Sequence, residues 1–220
     1  MLAFATPTTQ SSLVFKSTSS LSSRERLDVG RSASRILPRL YLSNLLTAED
    51  EAELSSLRIT HVVSVLEIAP KFPPSMSHLK ILHIPIEDSA KTDILQYLEQ
   101  TTHYIKSALE EDEKNAVLVH CFMGMSRSAT VVCAYLIATT DMLPSDAVQF
   151  VRDRRSIVCL NIGFRDQLET YAAKFCGKGQ KARGRYFKVN VGVIERIMFW
   201  KGGARIEAKE QEGAHPLSLT

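Results

Sequence analysis

Apolar residues in this chain fall into two kinds of run, one short and β-branched, the other longer and spaced at helical intervals. The short runs predict strands at 36–44 (around Pro38 and Arg39), 59–66, 80–86 and 116–119. The longer runs predict helices at 47–57, 92–109, 126–138, 144–154 and 162–175. Thr47 and Asp50 have capping-box spacing, with Asp in place of the usual Glu. Pro144 suits the first turn of its helix, and 70–77 reads as a Pro-rich loop. Strands alternate with helices, which predicts an α/β fold: a central, mostly parallel twisted sheet with helices on both faces. Such sheets place their sites at the carboxyl ends of the strands.

The pattern fades at both ends. Residues 1–34 are rich in Ser and Thr and read as a disordered tail. The first acidic residue is Glu25, so the start has a faint likeness to a mitochondrial presequence, but basic residues before Arg24 are sparse. Residues 177–220 open with a basic, Gly-rich stretch that reads as linker and tail. Within it, 186–200 regains apolar content, as an extra strand, a short amphipathic helix or a partly ordered tail. That leaves 35–176 as the domain.

Composition narrows the function classes. A chain of 220 residues, 45% hydrophobic, suits one domain with a sizeable core. A net charge of +3 is too mild to predict a nucleic-acid partner. No apolar run is long enough to predict a membrane span, and the start lacks the apolar core of a secretory signal. Nothing in the pattern specifies an oligomeric state. Cys121, Cys133, Cys159 and Cys176 are irregularly spaced with no Cys-x-x-Cys pair, so no metal site is expected. Cys133 and Cys176 read as inert, and Cys159 as a candidate disulfide partner for Cys121 on oxidation.

One run carries chemistry: His120-Cys121-Phe122-Met123-Gly124-Met125-Ser126-Arg127-Ser128, between a predicted strand and a predicted helix. A strand-to-helix loop points successive backbone N–H groups at one place, at the positive end of a helix, and so forms an anion site. Cys121 lies at its edge, and the planar fork of Arg127 matches two phosphate oxygens. Cysteines at helix N-termini beside cations can titrate at roughly 3.5–7.5. A thiolate there can attack phosphorus while loop N–H groups and arginine hold the other oxygens.

At these residues the chain resembles the cysteine-dependent protein tyrosine phosphatases, and more narrowly their small, atypical dual-specificity branch, over about 36–175. The resemblance implies Cys121 as nucleophile and Arg127 as phosphate clamp. It implies Phe122, Met123, Gly124, Met125 and Ser126 as the phosphate-binding loop, and Ser128 as a hydroxyl that helps the thiolate leave. His120 is then a structural, pKa-tuning neighbour. The family places a general acid on a loop after an earlier strand. Asp88, after the strand at 80–86, fits that place, with Glu87 and Asp93 as rivals and a turn-forming role as the bland alternative. Asn161, in Leu160-Asn161-Ile162-Gly163-Phe164, would brace the phosphate loop, or simply cap a helix. Leu160 stands where the family commonly has Pro, which should loosen that turn.

The resemblance implies hydrolysis of phosphotyrosine and of phosphoserine or phosphothreonine, with a phosphoprotein substrate and no cofactor. The apolar residues Phe122, Met123 and Met125 lack the lysines expected for phosphoinositides. A working thiolate predicts a reducing, cytoplasmic or nuclear location. The alternatives are a phospho-binding or assembly scaffold and a rhodanese- or arsenate-reductase-like thiol enzyme.

Overall fold

The computed structural model describes residues 32–140 and 142–175. The predicted segments at 1–31 and 177–220, and Cys176, lie outside them. Strands are β1 (Ser34–Leu37), β2 (Leu40–Ser43), β3 (His61–Val65), β4 (Lys80–Ile84) and β5 (Val117–His120). Helices are α1 (Leu45–Ala48), α2 (Glu51–Ser56), α3 (Leu95–Glu111), α4 (Arg127–Thr139), α5 (Pro144–Arg154) and α6 (Ile162–Ala172). The strands form one five-stranded sheet in the order β1-β2-β5-β3-β4. Only β1 runs antiparallel to its neighbour; the other pairings are parallel.

Every residue of β3 and β5 is buried. That is why both read as continuous apolar runs instead of alternating ones: each face of the sheet is covered. On one face Val62 and Leu118 pack with Ala48, Leu54, Met76 and Leu79 from the region of α1, α2 and the turn at Pro74–Met76. The other face carries α4, buried continuously from Arg127 to Ile137, with α3, α5 and α6 around it. A helix apolar on all sides belongs in the interior.

The helix expected at 47–57 is two helices. Asn44 caps α1 by accepting from the Thr47 N–H, and Asp50 caps α2 by accepting from Ala52 and Glu53. The Asp50 carboxylate takes N–H groups that a continuous helix would have used, and the extended backbone of Asp50 turns the chain. Thr47 is a buried helical residue, not a cap. The strand expected to reach residue 86 stops at Ile84, because Pro85 has no N–H to give the ladder. The expected boundary at 34/35 falls too late. Ser34 already pairs with Leu42, and the Ser32 carbonyl accepts a hydrogen bond from Arg155 at 3.0 Å.

Four parallel strands end at one edge, so the chain segments leaving β2, β3, β4 and β5 meet there. They line a pocket of about 590 Å³, with Leu45 and Glu49 after β2, Leu66 to Lys71 after β3, Glu87 and Asp88 after β4, and Phe122 and Arg127 after β5.

Candidate active site

The loop from Cys121 to Ser126 is held from outside by its carbonyls. Phe122 O accepts from the Leu45 N–H at 3.2 Å, and Met125 O from the Cys159 N–H at 3.0 Å. Gly124 O accepts from Arg155 Nε at 2.9 Å, and Met123 O from Arg155 Nη2 at 3.2 Å. With consecutive carbonyls anchored outward, the N–H groups are left to the inside of the loop, at the N-terminus of α4, where Ser126 makes no side-chain cap bond. Gly124 has φ +68°, and a Cβ on it would lie 2.3 Å from Ser43 O. Only glycine fits that position.

Cys121 is buried, and its Sγ accepts from the Gly124 N–H at 3.2 Å and the Ser128 hydroxyl at 3.1 Å. Acceptance from two donors is a role that a thiolate fills better than a thiol. Arg127 is 5% exposed; its Nη1 donates to Ile86 O at 3.1 Å. Its Nε has no hydrogen-bond partner among the described residues. A buried donor without a partner costs about 1–3 kcal/mol, which a phosphate oxygen would recover.

Asp88 faces this arginine, with Oδ2 3.6 Å from Arg127 Nε. Its Oδ1 accepts from the Ser126 hydroxyl and from Asn161 Nδ2, each at 2.8 Å. One oxygen is therefore tied and the other is left toward the pocket. The rivals part company here. Glu87 is exposed on the pocket wall, while Asp93 accepts from the Gln96 N–H at 3.3 Å at the start of α3.

Asn161 makes contacts of both kinds. Its Oδ1 caps α6 through the Phe164 N–H at 2.9 Å, and its backbone N–H meets the Ser126 hydroxyl at 3.2 Å. Its amide braces Asp88 directly and the phosphate loop through Ser126. Leu160, which precedes Asn161, is buried at 3% exposure. The same helix grips the Asp88 loop twice more. A Cβ on Gly163 would lie 2.0 Å from Ala90 O. Gln167 Oε1 accepts from the Ile94 and Leu95 N–H groups at 2.8 and 2.9 Å, which caps α3 from another helix.

Sequence reasoning assigns no role to Arg155 or Gln167. Arg155 ends a basic run at a helix C-terminus, where such residues are ordinary. No local signal separates it from Arg152 or Arg154.

His120 is fully buried, with Nε2 2.7 Å from the Ser64 hydroxyl and its ring edge-on to Phe72. Its Nδ1 lies beside the Cys121 backbone, which raises the pKa, but outside hydrogen-bond geometry. Burial dominates and, with Arg127 and His83, holds the ring at about 4. An unfolded histidine titrates near ~6.5. The neutral ring therefore contributes its full stability above that value and loses it as pH falls to about 4. The loss should be on the order of 3 kcal/mol at ~1.4 kcal/mol per unit. Urea unfolding near neutrality and near pH ~4.5 checks this: His120→Asn should show a smaller decline than the wild type.

Cys133 lies wholly inside α4, and burial pushes its thiol up, so it is inert at neutral pH. No helix among the described residues is long and apolar enough to cross a membrane.

The family model described as dual specificity phosphatase, catalytic domain, matches residues 40–174. Human dual specificity protein phosphatase 22 is 35% identical over 143 residues, which cover 65% of this chain and 75% of that protein. Dual specificity protein phosphatase 1B of Arabidopsis thaliana is 35% identical over 156 residues, 70% of this chain and 90% of the relative. Among solved structures, human DUSP28 aligns with a TM-score of 0.60 at 30% identity, covering 65% of this chain and 94% of that one. The human tyrosine phosphatase-like serine/threonine/tyrosine-interacting protein aligns with a TM-score of 0.60 at 30% identity, over 66% of this chain and 98% of that one.

Proposed function

Because the chain belongs to the dual-specificity protein phosphatase family, we propose that it hydrolyses phosphotyrosine and phosphoserine or phosphothreonine through a phosphocysteine at Cys121. The convergence of Cys121 Sγ, the inward N–H groups, Arg127 Nε and Asp88 Oδ2 on one pocket edge carries this reading.

In the first step the Cys121 thiolate forms an S–P bond as the P–O bond to the substrate breaks. Loop N–H groups and the Arg127 fork hold the three remaining phosphoryl oxygens. The proton for the leaving oxygen comes from Asp88 Oδ2, the carboxyl oxygen that Ser126 and Asn161 leave free. In the second step Asp88 takes a proton from water, the resulting hydroxide attacks phosphorus, and the S–P bond breaks. The Ser128 hydroxyl, already donating to Sγ, stabilises the departing thiolate. His120 stays neutral at working pH and takes no part in proton transfer. The site needs no metal to perform these steps.

Asp88→Asn tests the acid. The amide can still accept at Oδ1 but has no proton to give. Turnover of an aryl phosphate with a poor leaving group should fall by roughly a hundredfold, and that of an activated one far less. Equal losses on the two would remove Asp88 from this role. The alternative of a phospho-binding or assembly scaffold is not favoured, since Cys121 and Arg127 are both present and placed.

A further inference from the structure

Arg127 and Asp88 face each other at the floor of the pocket. The ionisable groups on its walls are Glu49, Glu67 and Glu87 against Lys71. These carboxylates come from three segments, after α1, after β3 and after β4, so their meeting is a product of the fold and not of one charged stretch. Glu49 is held in place by the Lys71 backbone N–H at 3.2 Å. Glu67 and Glu87 are exposed and pair with no basic side chain among the described residues. Residues 32–175 carry 14 Lys and Arg against 18 Asp and Glu, so the collar sits in an acidic domain although the full chain is +3. At its floor the buried Arg127 Nε, which faces Asp88 Oδ2 at 3.6 Å but makes no hydrogen bond among the described residues, points to the anion the site receives.

We propose that this acidic collar selects phosphopeptides with Lys or Arg next to the phosphorylated residue; the proposal rests on the phosphatase reading above. A phosphate dianion entering through a negative rim is repelled until flanking cations offset the rim. Those cations then lie against Glu49, Glu67 and Glu87 as the phosphate reaches Arg127. Ile68, 82% exposed, and Phe122, 56% exposed, offer apolar contact to the peptide on the same walls. A second phosphate beside the first meets the same rim with no compensation. Polyanionic ligands and acidic peptides are thus the disfavoured class.

Exposed ion pairs each contribute a factor of about 1.4 to 5, so two or three together should give roughly tenfold in kcat/KM. The test takes one phosphotyrosine peptide in three versions, flanked by Lys, Ser or Glu, at low ionic strength, with an aryl phosphate as the flank-free reference. The expected order is Lys over Ser over Glu, narrowing as added salt shortens the screening length. Glu67→Lys, and separately Glu49→Gln, should shrink the Lys-to-Ser ratio. That ratio is taken within each protein, so any loss of folded enzyme cancels. Equal rates for the three peptides, a preference for Glu, or an unchanged ratio in both variants would overturn the collar's role while aryl phosphate turnover keeps the phosphatase reading. Absence of turnover on every substrate would instead remove that reading.

Discussion

Cys121→Ser should yield a folded protein that binds phosphate and turns over nothing. The cradle is held open by its carbonyls, through Leu45, Arg155 and Cys159, and not by the sulfur. Among the described residues only the Gly124 N–H and the Ser128 hydroxyl hydrogen-bond to Sγ, and a serine oxygen can accept from both. What disappears is the nucleophile, because a hydroxyl is far less acidic than a thiol. Turnover of an aryl phosphate should drop by roughly four orders of magnitude or more, the scale of loss when a nucleophile is deleted. Metal-free kinetics with a chelator present, beside calorimetric titration with inorganic phosphate, checks both halves. Residual turnover within about tenfold of wild type would exclude a covalent phosphocysteine.

Arg155→Met should be nearly as severe by a different route. Arg155 is fully buried, and burial lowers its pKa to about 10, offset by the Cys121 sulfur, so it remains charged at neutral pH. It spans the Met123 and Gly124 carbonyls and, through Nη1, the Ser32 carbonyl and the Ser34 hydroxyl. Methionine fills much of the volume but leaves those carbonyls unsatisfied, at about 1–3 kcal/mol each. The expected loss is about 2–5 kcal/mol in stability and about a hundredfold or more in kcat/KM, because carbonyls no longer held outward release the N–H groups from the phosphate. Arg155→Lys should fall between, since one ammonium cannot bridge what a planar fork bridges. Urea unfolding and kinetics on the remaining folded protein separate the two effects. Wild-type kinetics in a merely destabilised variant would leave Arg155 a structural residue only.

The choice of carboxylate at the site shows where sequence reasoning runs short. Three carboxylates within a few residues, Glu87, Asp88 and Asp93, are equivalent candidates along the chain. Their difference lies in which backbone points inward after Pro85 ends β4, and in where α6 arrives. Asn161 and Ser126 reach Asp88 from separate elements, and Gly163 and Gln167 bring α6 against its loop. The pairing of a brace with a helix cap in Asn161 is similar. An asparagine has two polar ends, and only the packing of α6 says that both are used.

Helix α1 and helix α2 teach the same point in reverse. Thr47 and Asp50 have a legitimate capping spacing, but Asn44 and Asp50 are the residues whose side chains meet the N–H groups. The part-buried N-terminal contact of Ser32 and the early start of β1 depend on Arg155, more than a hundred positions away.

The amino-acid sequence by itself determined the alternation of strands and helices, and the strand-loop-helix unit that carries Cys121, Arg127 and Ser128. All of these rest on residues a few positions apart, whose relation is dictated by backbone geometry. Tertiary structure alone decided which carboxylate meets the site, which arginine holds the loop open and what charge surrounds its mouth. Those depend on segments far apart in sequence whose ends meet only because four parallel strands finish at one edge of the sheet.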